Sequence, residues 1–171
     1  MHRFRRTAVL AAALAASLPA VFATVGEAVA KSGPVVLIKN EGNGQYLDVT
    51  ENDAKPGKPV QTYARNGQEN QQWRAEAHLD GSISLRSVAS SSLCATAERG
   101  TDGYVLRLQP CSGRDSQKFH PSLVDEQYAL LESHAYRDQA LAAKGNNNPA
   151  TLAKTDPTDK KQHWSAEEVT N

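Results

Sequence analysis

Three short motifs of one kind set the frame for this chain. Gln71-Gln72-Trp73, Gln117-Lys118-Phe119 and Gln162-His163-Trp164 are copies of Gln-x-aromatic, spaced 46 and then 45 residues apart. A constant period of that size marks a structure assembled from one repeated unit. A second landmark keeps the period. Leu37, Leu85 and Leu131 each open an apolar stretch, and ten residues later stand Leu47, Ala95 and Leu141. From there to the motif aromatic is 26, 24 and 23 residues. The repeats therefore cover about 34–77, 78–123 and 124–169 of a single domain, 31–171, which leaves no room for a second.

Each repeat reads as four short strands. In the first they are Val35 to Ile38, Tyr46 to Val49, Val60 to Tyr63 and Gln71 to Glu76. Between them lie Gly42-Asn43-Gly44, a stretch from Asn52 to Pro59 with two Pro and a Gly, and Asn66-Gly67. Asn-Gly accommodates the positive φ of tight hairpin turns. Ser82 to Leu85 and Tyr104 to Leu108 alternate with period two, as half-buried strands do. Ser133 to Lys144 is Ala-rich and reads locally as helix, but the repeat overrules it. Three units of four strands predict an all-β fold, a β-trefoil whose six-stranded barrel is closed by three hairpins. A propeller of similar period needs four or more blades. Aromatics are only 6% of the chain, so burying Trp73, Phe119 and Trp164 where the units meet is the expected main apolar contribution.

Charge narrows the function classes. The chain has 171 residues with 19 basic and 19 acidic side chains, and this balance excludes the broad basic footprint of a nucleic-acid binder. The basic start His2-Arg3-Phe4-Arg5-Arg6, the apolar run Ala8 to Leu18, the break at Pro19 and the small residues at Ala23 and Ala30 form a secretory signal pattern. Residues 1–30 are expected to be removed after Ala30, with Ala23 as the second choice. A membrane anchor is the weaker reading, because the run is Ala-dominated and interrupted. The mature chain would carry 16 basic against 18 acidic groups, be secreted, and have no membrane span. Two cysteines cannot supply a four-ligand zinc site by themselves, and no metal or other cofactor is expected.

The motifs resemble a ricin B-type lectin domain, the galactose-binding β-trefoil. The resemblance covers residues 35–169 and rests on the three Gln-x-aromatic motifs, Leu47-Asp48-Val49 and Val60-Gln61-Thr62-Tyr63. In such lectins each repeat can form a shallow sugar site, and some of the three commonly decay. The resemblance implies a site in the first repeat. There Asp48 is the sugar-binding aspartate, Gln61 touches the sugar rim, Tyr63 is the aromatic platform, Asn70 closes on the hydroxyls and Gln71 orients the aspartate. The chemistry agrees, since a pyranose offers C–H groups on one face and hydroxyls around its edge. Asp48 is expected to face ligand rather than core, so that its removal leaves the melting temperature little changed. In the second repeat the ligand positions hold Thr96, Arg107, Gln109 and Ser116. In the third they are read as Ala142, Leu152, Lys154 and Lys161. Cys94 and Cys111 stand where the family places its intra-repeat disulfide, a pairing that export favours.

No catalytic constellation stands out. His78, His120, His134 and His163 are scattered, His163 is expected to face out, and Glu167-Glu168 reads as a solvated terminal pair. The leading reading is a secreted, monomeric, essentially monovalent glycan-binding module without enzymatic activity. The alternative is a β-trefoil protease inhibitor or protein-interaction module that binds no sugar, with Lys55 to Lys58 as the exposed basic loop.

Overall fold

The computed structural model describes residues 33–145 and 148–169; the signal pattern and its two cleavage positions lie outside them. Twelve strands follow one another: β1 (Val35–Asn40), β2 (Tyr46–Val49), β3 (Val60–Tyr63), β4 (Gln72–Ala77), β5 (Ile83–Ser87), β6 (Leu93–Gly100), β7 (Gly103–Pro110), β8 (Phe119–Leu123), β9 (Ala129–Ser133), β10 (Gln139–Ala142), β11 (Thr151–Lys154) and β12 (Trp164–Glu168). The Ala-rich segment after Ser133 forms no helix: a turn leads into strand β10 at Gln139–Ala142.

Six of these strands close a ring. β1 pairs with β4, β4 with β5, β5 with β8, β8 with β9, β9 with β12, and β12 returns to β1. Closure leaves this barrel without an exposed edge. The other six form three hairpins, β2–β3, β6–β7 and β10–β11. They meet one another through β7–β11 pairing and through single bridges Pro59↔Arg107 and Gln61↔Pro149. This is the β-trefoil.

The core sits where the repeats converge. Trp73, Phe119 and Trp164 are fully buried, each removing on the order of 150–250 Å² from water, roughly 4–6 kcal/mol apiece before ordering entropy is subtracted. The indole N–H of Trp73 donates to the Leu47 carbonyl at 3.0 Å, and that of Trp164 to Leu141 at 2.8 Å. The two landmarks are thus bonded to each other.

One landmark is displaced by a residue. Asn40, Ser87 and Ser133 are the cross-strand partners of Trp164, Trp73 and Phe119. Two residues before each stand Ile38, Leu85 and Leu131, all fully buried. Ile38, not Leu37, is therefore the first repeat's counterpart: it stands nine residues before Leu47, whereas Leu85 and Leu131 stand ten before Ala95 and Leu141.

The Asn-Gly turns work through the Asn side chains. Gly44 and Gly67 take φ of 68° and 74°, but Asn43 and Asn66 do not join them at positive φ. Instead Asn43 Oδ1 accepts from the Gln45 N–H at 3.0 Å and Asn66 Oδ1 from the Gln68 N–H at 2.9 Å, the Asx turn. In the second repeat Cys94 and Cys111 form a disulfide, Cα–Cα 5.0 Å, at the base of the β6–β7 hairpin.

Candidate functional site

The β2–β3 register sets Asp48 directly opposite Gln61. Leu47 is in the core, so strand alternation sends Asp48 to the other face. Behind it the 3-10 turn Glu69–Gln71 brings up Asn70 and Gln71, both buried. Four amides converge on one carboxylate. Gln61 Nε2 donates to Oδ1 at 3.1 Å, while Oδ2 accepts from Asn70 Nδ2 at 2.8 Å, Gln71 Nε2 at 2.9 Å and Asn66 Nδ2 at 3.5 Å. The side chains read from the sequence as one site are brought together here.

Asp48 itself is 2% exposed. The expectation that it simply faces ligand is corrected: it is the hub of a buried polar network. Burial pushes its carboxyl above the ordinary aspartate range, while the amides of Gln61, Gln71 and Asn70 pull the other way. No cation contributes to that balance.

The partners are themselves committed. Gln71 donates its second amide hydrogen to the Ala64 carbonyl at 2.8 Å and accepts from the Asn66 N–H at 3.0 Å. Asn70 donates also to the Val49 carbonyl at 3.2 Å, and its Oδ1 accepts from Asn66 Nδ2 at 3.1 Å. The Asn70 amide hydrogens are therefore internal, and what it retains toward a ligand is acceptor capacity.

In front of the hub opens a pocket of about 540 Å³ lined by Asp48, Gln61, Tyr63 and Asn70 together with Thr50, Glu51, Asn52 and Asn66. Tyr63 is 41% exposed at its rim. Gln71 is not part of the lining and works from behind. Sequence reasoning missed Thr50, Glu51, Asn52 and the side-chain role of Asn66. Glu51 and Asn52 take φ of 61° and 52°. Asn tolerates that conformation, but Glu pays about 1–2 kcal/mol for it, and nothing in the local sequence announces it.

The motif glutamine does the same work in all three repeats. Gln117 accepts from the Ser112 N–H at 2.8 Å and donates to the Pro110 carbonyl at 2.9 Å; Gln162 accepts from Asp156 N–H at 3.1 Å and donates to the Lys154 carbonyl at 2.9 Å. Its third bond depends on the hub position: Thr96 Oγ1 accepts it at 3.0 Å in the second repeat, whereas the Ala142 side chain of the third has no acceptor to offer. Lys154 is thus the counterpart of Ala64. Moreover Leu141 faces Leu152 as Leu47 faces Thr62. The third repeat's counterparts of Gln61 and Tyr63 are therefore Thr151 and Ala153, one residue before the Leu152 and Lys154 read from the sequence.

Three further expectations change. His163 is 6% exposed, not outward-facing, with Nδ1 2.6 Å from Glu41 Oε2 and Nε2 3.0 Å from the Pro157 carbonyl. Glu167 accepts from the Tyr46 hydroxyl at 3.1 Å. His120 Nε2 and His134 Nδ1 meet at 2.7 Å, yet among the described residues no three His, Cys, Asp or Glu side chains converge as a metal site. The Lys55–Lys58 loop is exposed at Lys55 and Pro56, as expected, but its backbone is tied to β7. The Gly57 N–H donates to the Leu108 carbonyl at 2.7 Å, the Leu108 N–H to the Lys58 carbonyl at 2.8 Å, and Arg107 to the Gly57 carbonyl at 2.9 Å. No helix of the described residues is long and apolar enough to cross a membrane.

A closed six-stranded barrel carrying three hairpins, one per repeat, defines the β-trefoil class. A model of the ricin-type β-trefoil lectin domain matches residues 34–164, and the chain belongs to that family. No curated protein matches it in sequence. Solved structures share the fold. The designed threefold-symmetric protein ThreeFoil superposes with TM-score 0.70 at 22% identity, over 79% of this chain and 99% of that one. A Macrolepiota procera ricin B-like lectin in complex with lactose gives 0.63 at 21%, over 81% and 98%. A mosquitocidal holotoxin gives 0.73 at 16%, over 81% of this chain, which spans only 17% of the toxin's length.

Proposed function

We propose that this chain is a secreted carbohydrate-binding module that holds galactose-type or related glycans through one site, in the first repeat, without catalysis. The observation that carries the reading is the placement of the exposed Tyr63 ring over a pocket whose wall is the Asp48 carboxylate. An aromatic plate matches the C–H face of a pyranose, and a carboxylate accepts strong charge-assisted bonds from its hydroxyls. In the other repeats Thr96 and Ala142 supply no carboxylate, and Gln109 and Ala153 no plate. Export follows from the basic-then-apolar start, with cleavage after Ala30.

The test is a glycan array read with the purified protein and its Tyr63→Ala variant, beside a trypsin-inhibition assay. Binding of galactose-type glycans that the variant loses supports the reading. Inhibition without glycan binding overturns it in favour of the inhibitor reading, although the Lys55–Lys58 loop lies tied to β7. Mass determination of the protein recovered from culture medium tests export: a chain beginning at Lys31 is expected, and retention of residues 1–30 overturns it.

A further inference from the structure

We propose that the first-repeat pocket ranks hexoses by charge, taking a protonated amino sugar over the neutral parent sugar and the neutral sugar over its uronate. This rests on reading the pocket as the sugar site. The first ground is hydrogen-bond capacity. Asn70 and Gln71 use both amide hydrogens inside the protein, and Asn66 directs its amide at Asn70 and Asp48. Beside the donors of Gln61, Asn52 and Tyr63, the lining offers two carboxylates: Asp48, whose Oδ1 holds only Gln61, and Glu51. The charge-assisted bonds on offer are therefore all to groups that accept, which favours a ligand that donates. An ammonium group does only that; a carboxylate cannot.

The second ground is charge. Asp48 is buried among neutral amides, so its negative charge reaches the pocket without a cation beside it. Glu51 adds another at the mouth, its side chain 72% exposed. Lys58 is shared between Glu51 and Asp53, so it offsets Glu51 only in part. A glycine would hold the left-handed backbone at Glu51 without strain, yet the residue there carries a carboxylate into the pocket lining. One opposite charge at about 4 Å in a watery setting changes affinity on the order of fivefold. The ligand class indicated is a free-amine hexose, alone or in a partly deacetylated amino-sugar polysaccharide.

Titration calorimetry with galactosamine, galactose and galacturonic acid, and with the matching gluco series, tests this at a pH where the amine is protonated. The amine-bearing sugar is expected to bind several-fold more tightly than its parent, and the uronate more weakly. High salt should narrow the differences by the share that the exposed Glu51 contributes, since exposed charges are screened and buried ones far less. Glu51→Gln should lower the amine-to-parent ratio and Lys58→Gln should raise it. Equal affinities across a series, or a reversed order, would overturn the charge ranking while leaving the sugar site standing. Both variants lowering the ratio alike would show a disturbed loop and overturn the role of Glu51. No binding by any of the six sugars would overturn the sugar-site reading itself, and this proposal with it.

Discussion

Gln71 Nε2 bridges the Asp48 carboxylate and the Ala64 carbonyl, at 2.9 and 2.8 Å. One amide thereby joins the candidate site to the loop that closes its repeat. The same bridge recurs at Gln117 with Thr96 as the weaker partner. A residue needed for folding in every repeat thus orients a ligand-facing group in one of them. Gln71→Ala should destabilise the protein by about 1–3 kcal/mol, as Asn66, Ala64 and Asp48 lose a buried partner, and weaken glycan binding as well. Denaturant unfolding and calorimetry on one preparation check both.

Asp48→Ala should abolish glycan binding and also cost about 1–3 kcal/mol, because the Gln61, Asn70 and Gln71 amides lose their common acceptor in a buried setting. The sequence by itself pointed to a silent removal. A shift in urea midpoint together with lost retention on glycan resin is the expected result; lost retention alone would show that the hub relaxes without penalty.

The pH response follows from the raised Asp48 carboxyl. The folded state binds this proton more readily than the unfolded chain. Its contribution to stability therefore falls as pH rises from the ordinary value, about 3.9, through the higher folded one. Binding runs the other way. It needs the ionised acceptor, so affinity should drop on acidification already above the ordinary aspartate value. Calorimetry across a pH series reads this directly.

Asp80 provides a contrasting marker. The hydroxyl and N–H of Ser82 hold its carboxyl down at about 2. Whatever stability it contributes is present above its unfolded value and disappears as pH falls through about 2. Ser82→Ala should move the Asp80 midpoint upward in a side-chain NMR titration while glycan binding stays unchanged.

Reduction of Cys94–Cys111 should lower stability by roughly 3 kcal/mol on the chain-entropy account. Glycan binding should persist, because the bridge lies in the second repeat and the pocket in the first. Unfolding curves with and without reductant, each paired with a binding assay, separate the two effects.

Tyr63 is the clearest test of the platform. Because the ring is exposed, Tyr63→Ala should change stability by no more than about 0.5 kcal/mol yet weaken binding at least tenfold. Tyr63→Trp should tighten it by enlarging the plate. Calorimetry should also find close to one site per chain, and a monomer with one site should not agglutinate cells, since crosslinking needs two that engage together.

The period of Gln-x-aromatic and the alternation of apolar residues determined the four-strand repeat and the β-trefoil, and the resemblance to the ricin B-type domain implied the grouping of Asp48, Gln61, Tyr63, Asn70 and Gln71. Period and alternation are regularities that strand geometry and threefold packing impose on the chain locally and repeatedly. Tertiary structure decided what depends on partners far away in sequence. His163 is buried because Glu41, 122 residues earlier, meets it across the junction of the first and last repeats. The third repeat's ligand positions fall one residue earlier than motif spacing suggests because Leu152 must face Leu141 in the β10–β11 register. Glu51 takes a left-handed backbone because its loop is tied at Thr50 to Pro59 and at Gly57 to Leu108. Side-chain period can say which residues alternate; only the closed barrel, by fixing which distant groups must satisfy one another, says which of them are buried and which remain for a ligand.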